Sequence, residues 1–190
     1  MTGVLALQGD FAEHVRVLEA LGEKATLVRL PADLAKVERL IIPGGESTTI
    51  GKLLEQSGLL TAIKKRAKAG MPIWGTCAGA IVLAKHIEGG RADQKSLGLL
   101  DITARRNAYG RQQESFETSI MIPTISKKKI AVAFIRAPIL TRPGKAVKVL
   151  ATRGKEIIAV QQGDLLATTF HPEIPGSKQF HYYFLNMGSH

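Results

Sequence analysis

Across residues 3–86, short aliphatic runs alternate with amphipathic stretches, and glycine or proline punctuates them. That order leaves few folds open, because β-α-β-α repeats bury themselves best as a parallel sheet with helices on both faces. Residues 3–7 predict the first strand. Phe11, Val15, Leu18 and Leu21 then recur at helical spacing, with Glu13, Arg16 and Glu19 between them. Asp10 is the expected N-cap of that helix and Gly22 its terminator. Further strands are predicted over residues 25–30, Arg39–Ile42 and 72–74. Helices are predicted over residues 49–56, Leu59–Lys68 and 80–86.

The last third reads differently. Residues 99–103, 116–122, Ile130–Phe134, 147–152, 157–161 and 165–170 are strand-like, separated by turns such as Arg142-Pro143-Gly144 and Gln162-Gly163-Asp164. They predict an antiparallel extension of the parallel core, closed by a helix over residues 180–187. At 190 residues the chain suits a single domain, 1–190, with a core that needs no staples. One cysteine allows no internal disulfide and fits a reducing compartment. No apolar run approaches the roughly 20 residues of a membrane helix, and the N-terminus lacks the pattern of a signal peptide. A cytoplasmic protein with no membrane association is expected. The net charge of +10 invites a nucleic-acid reading, but the basic residues are dispersed and aromatics make up only 5%. Stacking platforms for single strands are therefore not evident, and no nucleic-acid partner is expected.

Three segments carry chemistry. Gly75-Thr76-Cys77-Ala78-Gly79 joins a strand to a helix in the form of a nucleophile elbow with cysteine in place of serine. Such a turn raises the sulfur above the sheet edge, at a helix N-terminus that favours thiolate. It also aims the Ala78 N–H where an oxyanion would form. In His171-Pro172-Glu173, residues i and i+2 of an extended segment face the same side, so Glu173 can orient His171 as general base and acid for Cys77. Pro43-Gly44-Gly45-Glu46-Ser47 follows a strand at the same sheet edge. It lacks the lysine of a phosphate loop, which leaves the Gly45 N–H as a second oxyanion donor. No cluster of residues reads as a metal site, and no cofactor is expected.

Together these segments resemble the class I, triad-type glutamine amidotransferases. Leu5-Ala6-Leu7-Gln8-Gly9, Pro43-Gly44-Gly45-Glu46-Ser47-Thr48-Thr49, Arg106-Asn107-Ala108-Tyr109-Gly110-Arg111-Gln112, Phe134-Ile135-Arg136-Ala137-Pro138 and Phe170-His171-Pro172-Glu173 narrow the resemblance. They are similar, in order and over nearly the whole chain, to the glutaminase subunits of pyridoxal 5′-phosphate synthases. The resemblance implies the three-layer amidotransferase fold, a mostly parallel central sheet with helices on both faces and an antiparallel extension. It also implies hydrolysis of L-glutamine through a γ-glutamyl thioester on Cys77, with His171 and Glu173 completing the triad. Gly45 and Ala78 would be oxyanion donors, and Gly45, Glu46, Ser47, Arg106, Ile135 and Arg136 would bind glutamine. The ammonia would pass to a (β/α)8-barrel synthase subunit in a large heteromeric complex, for vitamin B6 synthesis. Gln8, Gly9, Glu13 and His14 are placed on the docking face. Arg136 is read as a strand residue. The rival readings are a glutaminase of another amidotransferase, such as that of histidine biosynthesis, a cysteine hydrolase on the same elbow, and a basic binding module.

Overall fold

The computed structural model describes residues 1–106 and 115–188. Residues 107–112 of the arginine-rich stretch that begins at Arg106 lie outside the described residues. The chain runs β1 (Thr2–Leu5), α1 (Phe11–Glu19), β2 (Ala25–Val28), α2 (Pro31–Leu34), β3 (Arg39–Ile42), α3 (Ser47–Gln56), α4 (Leu59–Lys68), β4 (Ile73–Thr76) and α5 (Ala78–Leu83). It continues through β5 (Ala84–Glu88), β6 (Leu100–Arg105), β7 (Phe116–Ile120), β8 (Ile130–Phe134), β9 (Ile139–Thr141), β10 (Lys148–Arg153), β11 (Glu156–Gln162), β12 (Leu165–Thr168) and α6 (Gln179–Leu185). Among the described residues no helix is long and apolar enough to cross a membrane.

Ten strands share one sheet, in the order β2-β1-β3-β4-β12-β11-β9-β6-β5 with β10 paired to β11. The pairings from β2 through β12 are parallel, those of β11 with β12, β9 and β10 are antiparallel, and β5 runs parallel to β6. β7 and β8 form a separate antiparallel ribbon.

Strand alternation builds two cores. Leu5, Leu40, Ile42, Ile73 and Ala167 face α2, α3, α4 and α5, where they meet Leu34, Ile50, Leu54, Leu59 and Ile63. Their chain neighbours Val4, Ile41, Trp74 and Leu166 face Leu18 of α1, Phe180 and Phe184 of α6, and the β7–β8 ribbon. Because both faces are covered, the strands read as continuous aliphatic runs rather than as alternating polar and apolar residues.

Three local expectations are corrected. Residues 84–86 are not helical: Ala84 opens β5 and pairs with Leu100. Asp10 precedes α1, yet its side chain makes no capping hydrogen bond. Arg136 lies beyond the end of β8, in a bend with φ of 45°.

Candidate active site

Register places Cys77 and His171 side by side. β4 and β12 are parallel neighbours with Thr76 opposite Thr168, and the Cys77 N–H donates to the Thr168 carbonyl at 2.8 Å. Cys77 is thus the first residue past one strand end, and His171 stands three past the adjoining end. Both N–H and C=O of His171 pair with Ala133 of β8, at 2.7 and 3.0 Å, which fixes the backbone that carries the imidazole.

The elbow is as tight as the sequence requires. Cys77 has φ of 49°, a region that L-residues enter only when their surroundings enforce it. Enforcement comes from backbone approach. A Cβ on Gly75 would lie 2.5 Å from the Gly79 carbonyl, and one on Gly79 would lie 2.0 Å from the Ile42 carbonyl oxygen. The side chain of Cys77 is 7% exposed, and its Sγ lies 3.6 Å from the Ile135 carbonyl oxygen.

Behind it, Glu173 Oε1 lies 2.7 Å from His171 Nδ1. Burial opposes the imidazolium, but hydrogen bonding and charge from the Cys77 sulfur and the Glu173 carboxylate outweigh it and push His171 up to about 10. Burial alone would raise the Glu173 carboxyl. The charges and hydrogen bonds of His14 and His171 instead hold it well below the usual carboxylate range. Asp10 Oδ2 approaches His171 Nδ1 to 3.8 Å, so the residue expected to cap α1 faces the base instead. Burial raises the Asp10 carboxyl against the pull of His171. Donor atoms of Asp10, His171 and Glu173 lie within 4.8 Å of one another. The 2.7 Å His171–Glu173 contact is nevertheless hydrogen-bonding distance, shorter than the roughly 3 Å or more that separates two ligands of one metal ion.

The residue 44–46 loop is clamped from the N-terminal side. The Asp10 N–H donates to the Gly44 carbonyl at 3.1 Å, and the Glu46 N–H donates to Gln8 Oε1 at 2.7 Å. In a trans peptide the Gly45 N–H must then point away from Asp10. Glu46 caps α3, accepting from the N–H groups of Thr48 at 3.0 Å and Thr49 at 2.7 Å. Arg106 donates to Glu46 Oε1 at 3.0 Å, to Thr48 Oγ1 at 2.8 Å and to Gln94 Oε1 at 2.6 Å. Gln94 in turn donates to Ser47 Oγ at 3.0 Å. Burial would raise the Glu46 carboxyl, but the Thr48 and Thr49 hydrogen bonds win and bring it down to about 2.

These groups line a cleft of about 360 Å³. Gln8, Gly9, Asp10, Gly45, Glu46, Ser47, Cys77, Ala78, Arg106, Ile135, Arg136 and His171 all contribute to it, so the sequence-predicted set converges with three exceptions, Glu13, His14 and Glu173. Glu173 stands behind His171 and is buried. His14 does not face a partner: it is fully buried, because it occupies the apolar side of α1 between Phe11 and Leu18.

The SNO glutamine amidotransferase family matches residues 4–189. The chain belongs to this family. The pyridoxal 5′-phosphate synthase subunit PdxT of Herpetosiphon aurantiacus is 56% identical to it over 187 residues, covering 97% of this chain and 98% of the relative. The subunit of the same name from Roseiflexus sp. strain RS-1 is 53% identical over 186 residues, with coverage of 97% and 98%. A crystal structure of a glutamine amidotransferase superposes with a TM-score of 0.91 at 46% identity, covering 97% of this chain and 96% of that one. PurLQS from Thermotoga maritima shares the fold alone, at a TM-score of 0.68 and 19% identity.

Within this amidotransferase site, sequence reasoning missed Asp10, Thr48, Thr49 and Gln94. Thr48 and Thr49 carried a signal, since they sit two and three residues after a carboxylate at a helix start. Gln94 carried none, because it lies in an irregular segment with no motif around it.

Proposed function

We propose that this chain is the glutaminase subunit of a pyridoxal 5′-phosphate synthase and acts as one unit over residues 1–190, in the cytoplasm. It hydrolyses L-glutamine to L-glutamate and ammonia and passes the ammonia to a (β/α)8-barrel synthase subunit in a large heteromeric complex. The observation that carries this reading is the elbow cysteine at the end of β4 beside a His171–Glu173 pair leaving β12, in a chain 56% identical to a relative named as that subunit.

In this reading Cys77 Sγ attacks the carboxamide carbon of glutamine. His171 Nδ1 is committed to Glu173, so Nε2 takes the thiol proton and delivers it to the leaving nitrogen. Ammonia departs and a γ-glutamyl thioester remains. His171 then removes a proton from water, the hydroxide adds to the thioester carbonyl, and glutamate leaves as the thiol is restored. The N–H groups of Gly45 and Ala78 stabilise the tetrahedral oxyanions.

Glu46, Ser47, Arg106, Ile135 and Arg136 hold the amino acid. Arg106 is already shared among Glu46, Thr48 and Gln94, so it shapes the ionised Glu46 that receives the ammonium. Arg136 makes no ion pair among the described residues and is the cation left for the α-carboxylate. Neutral ammonia picks up a proton in water near pH 7 and stops being a nucleophile, which is why a sheltered transfer to a second active site is needed.

Gln8, Gly9 and Glu13 remain the docking residues in this reading. Gln8 and Gly9 line the cleft and contact the 44–46 loop, and Glu13 is a half-buried residue of α1. The experiment is glutamate release from glutamine with and without the synthase subunit. The rate rises severalfold on docking, whereas equal rates contradict the assigned docking role. Gly9→Ala gives a second check. Gly9 has φ of +102°, and a Cβ there would lie 1.8 Å from the Gly44 carbonyl oxygen. The substitution turns the Gly44–Gly45 peptide, and loss of an oxyanion donor lowers kcat by about 10²–10³. Wild-type kcat in Gly9→Ala would remove Gly45 from the mechanism.

A further inference from the structure

Helix α1 carries a histidine where its apolar face calls for a hydrocarbon. His14 is wholly enclosed, with the Trp74 ring 5.5 Å away in an edge contact. A buried polar ring is costly unless its nitrogens are satisfied, and here each nitrogen has a partner. Nδ1 lies 2.9 Å from Nε2 of His181, which is itself fully buried in α6. Nε2 lies 3.2 Å from Thr76 Oγ1 and 3.4 Å from Glu173 Oε1. Thr76 immediately precedes the nucleophile, and Glu173 orients the base. One buried ring therefore touches both arms of the triad from behind.

We propose that His14 and His181 are positioning residues for the glutaminase reaction: His181 pairs with His14 Nδ1, and His14 Nε2–H is thereby aimed at Glu173 and Thr76, locking the carboxylate that orients His171. The proposal rests on the triad reading of Cys77, His171 and Glu173.

Hydrogen-bond bookkeeping gives the direction. An ionised carboxylate only accepts, so the His14 nitrogen facing Glu173 carries its hydrogen. His14 Nδ1 pairs with His181 Nε2 at 2.9 Å, which fixes the ring so that Nε2 faces Glu173. Burial, with His14 next in effect, pushes His181 down to about 3, so it is neutral and has one N–H to give. The Ser177 backbone carbonyl is a further acceptor that acts on this ring. Glu173 Oε2 is buried and has no hydrogen-bond partner among the described residues. Among the described residues the carboxylate is held through Oε1, between His171 at 2.7 Å and His14 at 3.4 Å. Removing His14 leaves His171 as its one remaining hold there and lets the carboxylate turn about that contact.

The test uses the full chain docked on its synthase partner. His14→Phe keeps an aromatic ring in the space and removes both nitrogens. Its kcat falls about 10–100-fold, as misplacement of a reacting group does, while KM for glutamine stays within about twofold because no substrate contact is lost. His14→Gln returns an amide N–H near the Nε2 position and restores most of the lost kcat. An unchanged kcat in His14→Phe overturns the proposal, and so does a His14→Gln variant no better than His14→Phe. Should the variants not fold, nitrogen-15 histidine spectra of the unmutated chain decide it. His14 carries a hydrogen on Nε2 in those spectra, and a His14 whose Nε2 is bare overturns the proposal. Cys77→Ser run in parallel separates the two readings. If its turnover equals wild type, the triad itself has failed. If it is inactive while His14→Phe is not, only the positioning role has.

Discussion

Cys77→Ser, docked on the synthase subunit, releases glutamate from glutamine on the order of 10⁴–10⁶ times more slowly than the unmutated chain, as loss of the nucleophile from a cooperating triad does. Its fold is unchanged, because serine fits the 7% exposed site and keeps the N–H that donates to Thr168. Serine fails as a substitute because its hydroxyl is far less acidic than a thiol, and a base tuned to a thiolate does not ionise it. The measurement is steady-state glutamate production, with thermal unfolding as the control for structure. Retained turnover would take the nucleophile away from Cys77.

Glu173→Gln lowers kcat about 10³–10⁴-fold with little change in KM, by the logic that holds a triad base in one tautomer. The carboxylate accepts from His171 Nδ1 at 2.7 Å, which leaves Nε2 as the nitrogen that takes the thiol proton and holds it. An amide in the same place can present its N–H instead, turning the hydrogen of the ring to Nε2. His171 also loses one of the two negative partners that hold its proton against burial. The double variant Cys77→Ser with Glu173→Gln is no slower than Cys77→Ser alone, because the residues act as one unit. Additive losses, or wild-type kcat in Glu173→Gln, would detach Glu173 from the base.

The parts of this architecture that sequence made legible are those with sharp punctuation. Arg39–Ile42 and Leu59–Lys68 were bounded correctly, because Pro43-Gly44-Gly45 closes the first and Gly58 and Gly70 flank the second. Ala84-Lys85-His86 read as helix because it continues an apolar helical run with good helix formers. Pairing with β6 overrides that propensity and buries Ala84 completely. β9 escaped notice because three residues between Pro138 and Pro143 carry no period.

At the site, the convergence of Cys77, His171 and Glu173 was legible because they follow two neighbouring strands of a parallel sheet, where side chains converge. The network of Arg106, Gln94 and Thr48 around Glu46 was not, since it is assembled from a helix start and an irregular segment. His14 was the instructive error. Its charge pattern suggested an exposed helix face, while its spacing from Phe11 and Leu18 placed it on the apolar one. Spacing governed, and the polar ring went inward because Thr76, His181 and Glu173 satisfy it there.

The most direct test is rapid acid quench of the docked chain with glutamine during the first turnover, followed by mass spectrometry of the peptide that carries Cys77. The account predicts a γ-glutamyl adduct on Cys77 that forms and decays at the rate glutamate appears. Glutamate accumulating at the full rate while Cys77 stays unmodified would contradict it.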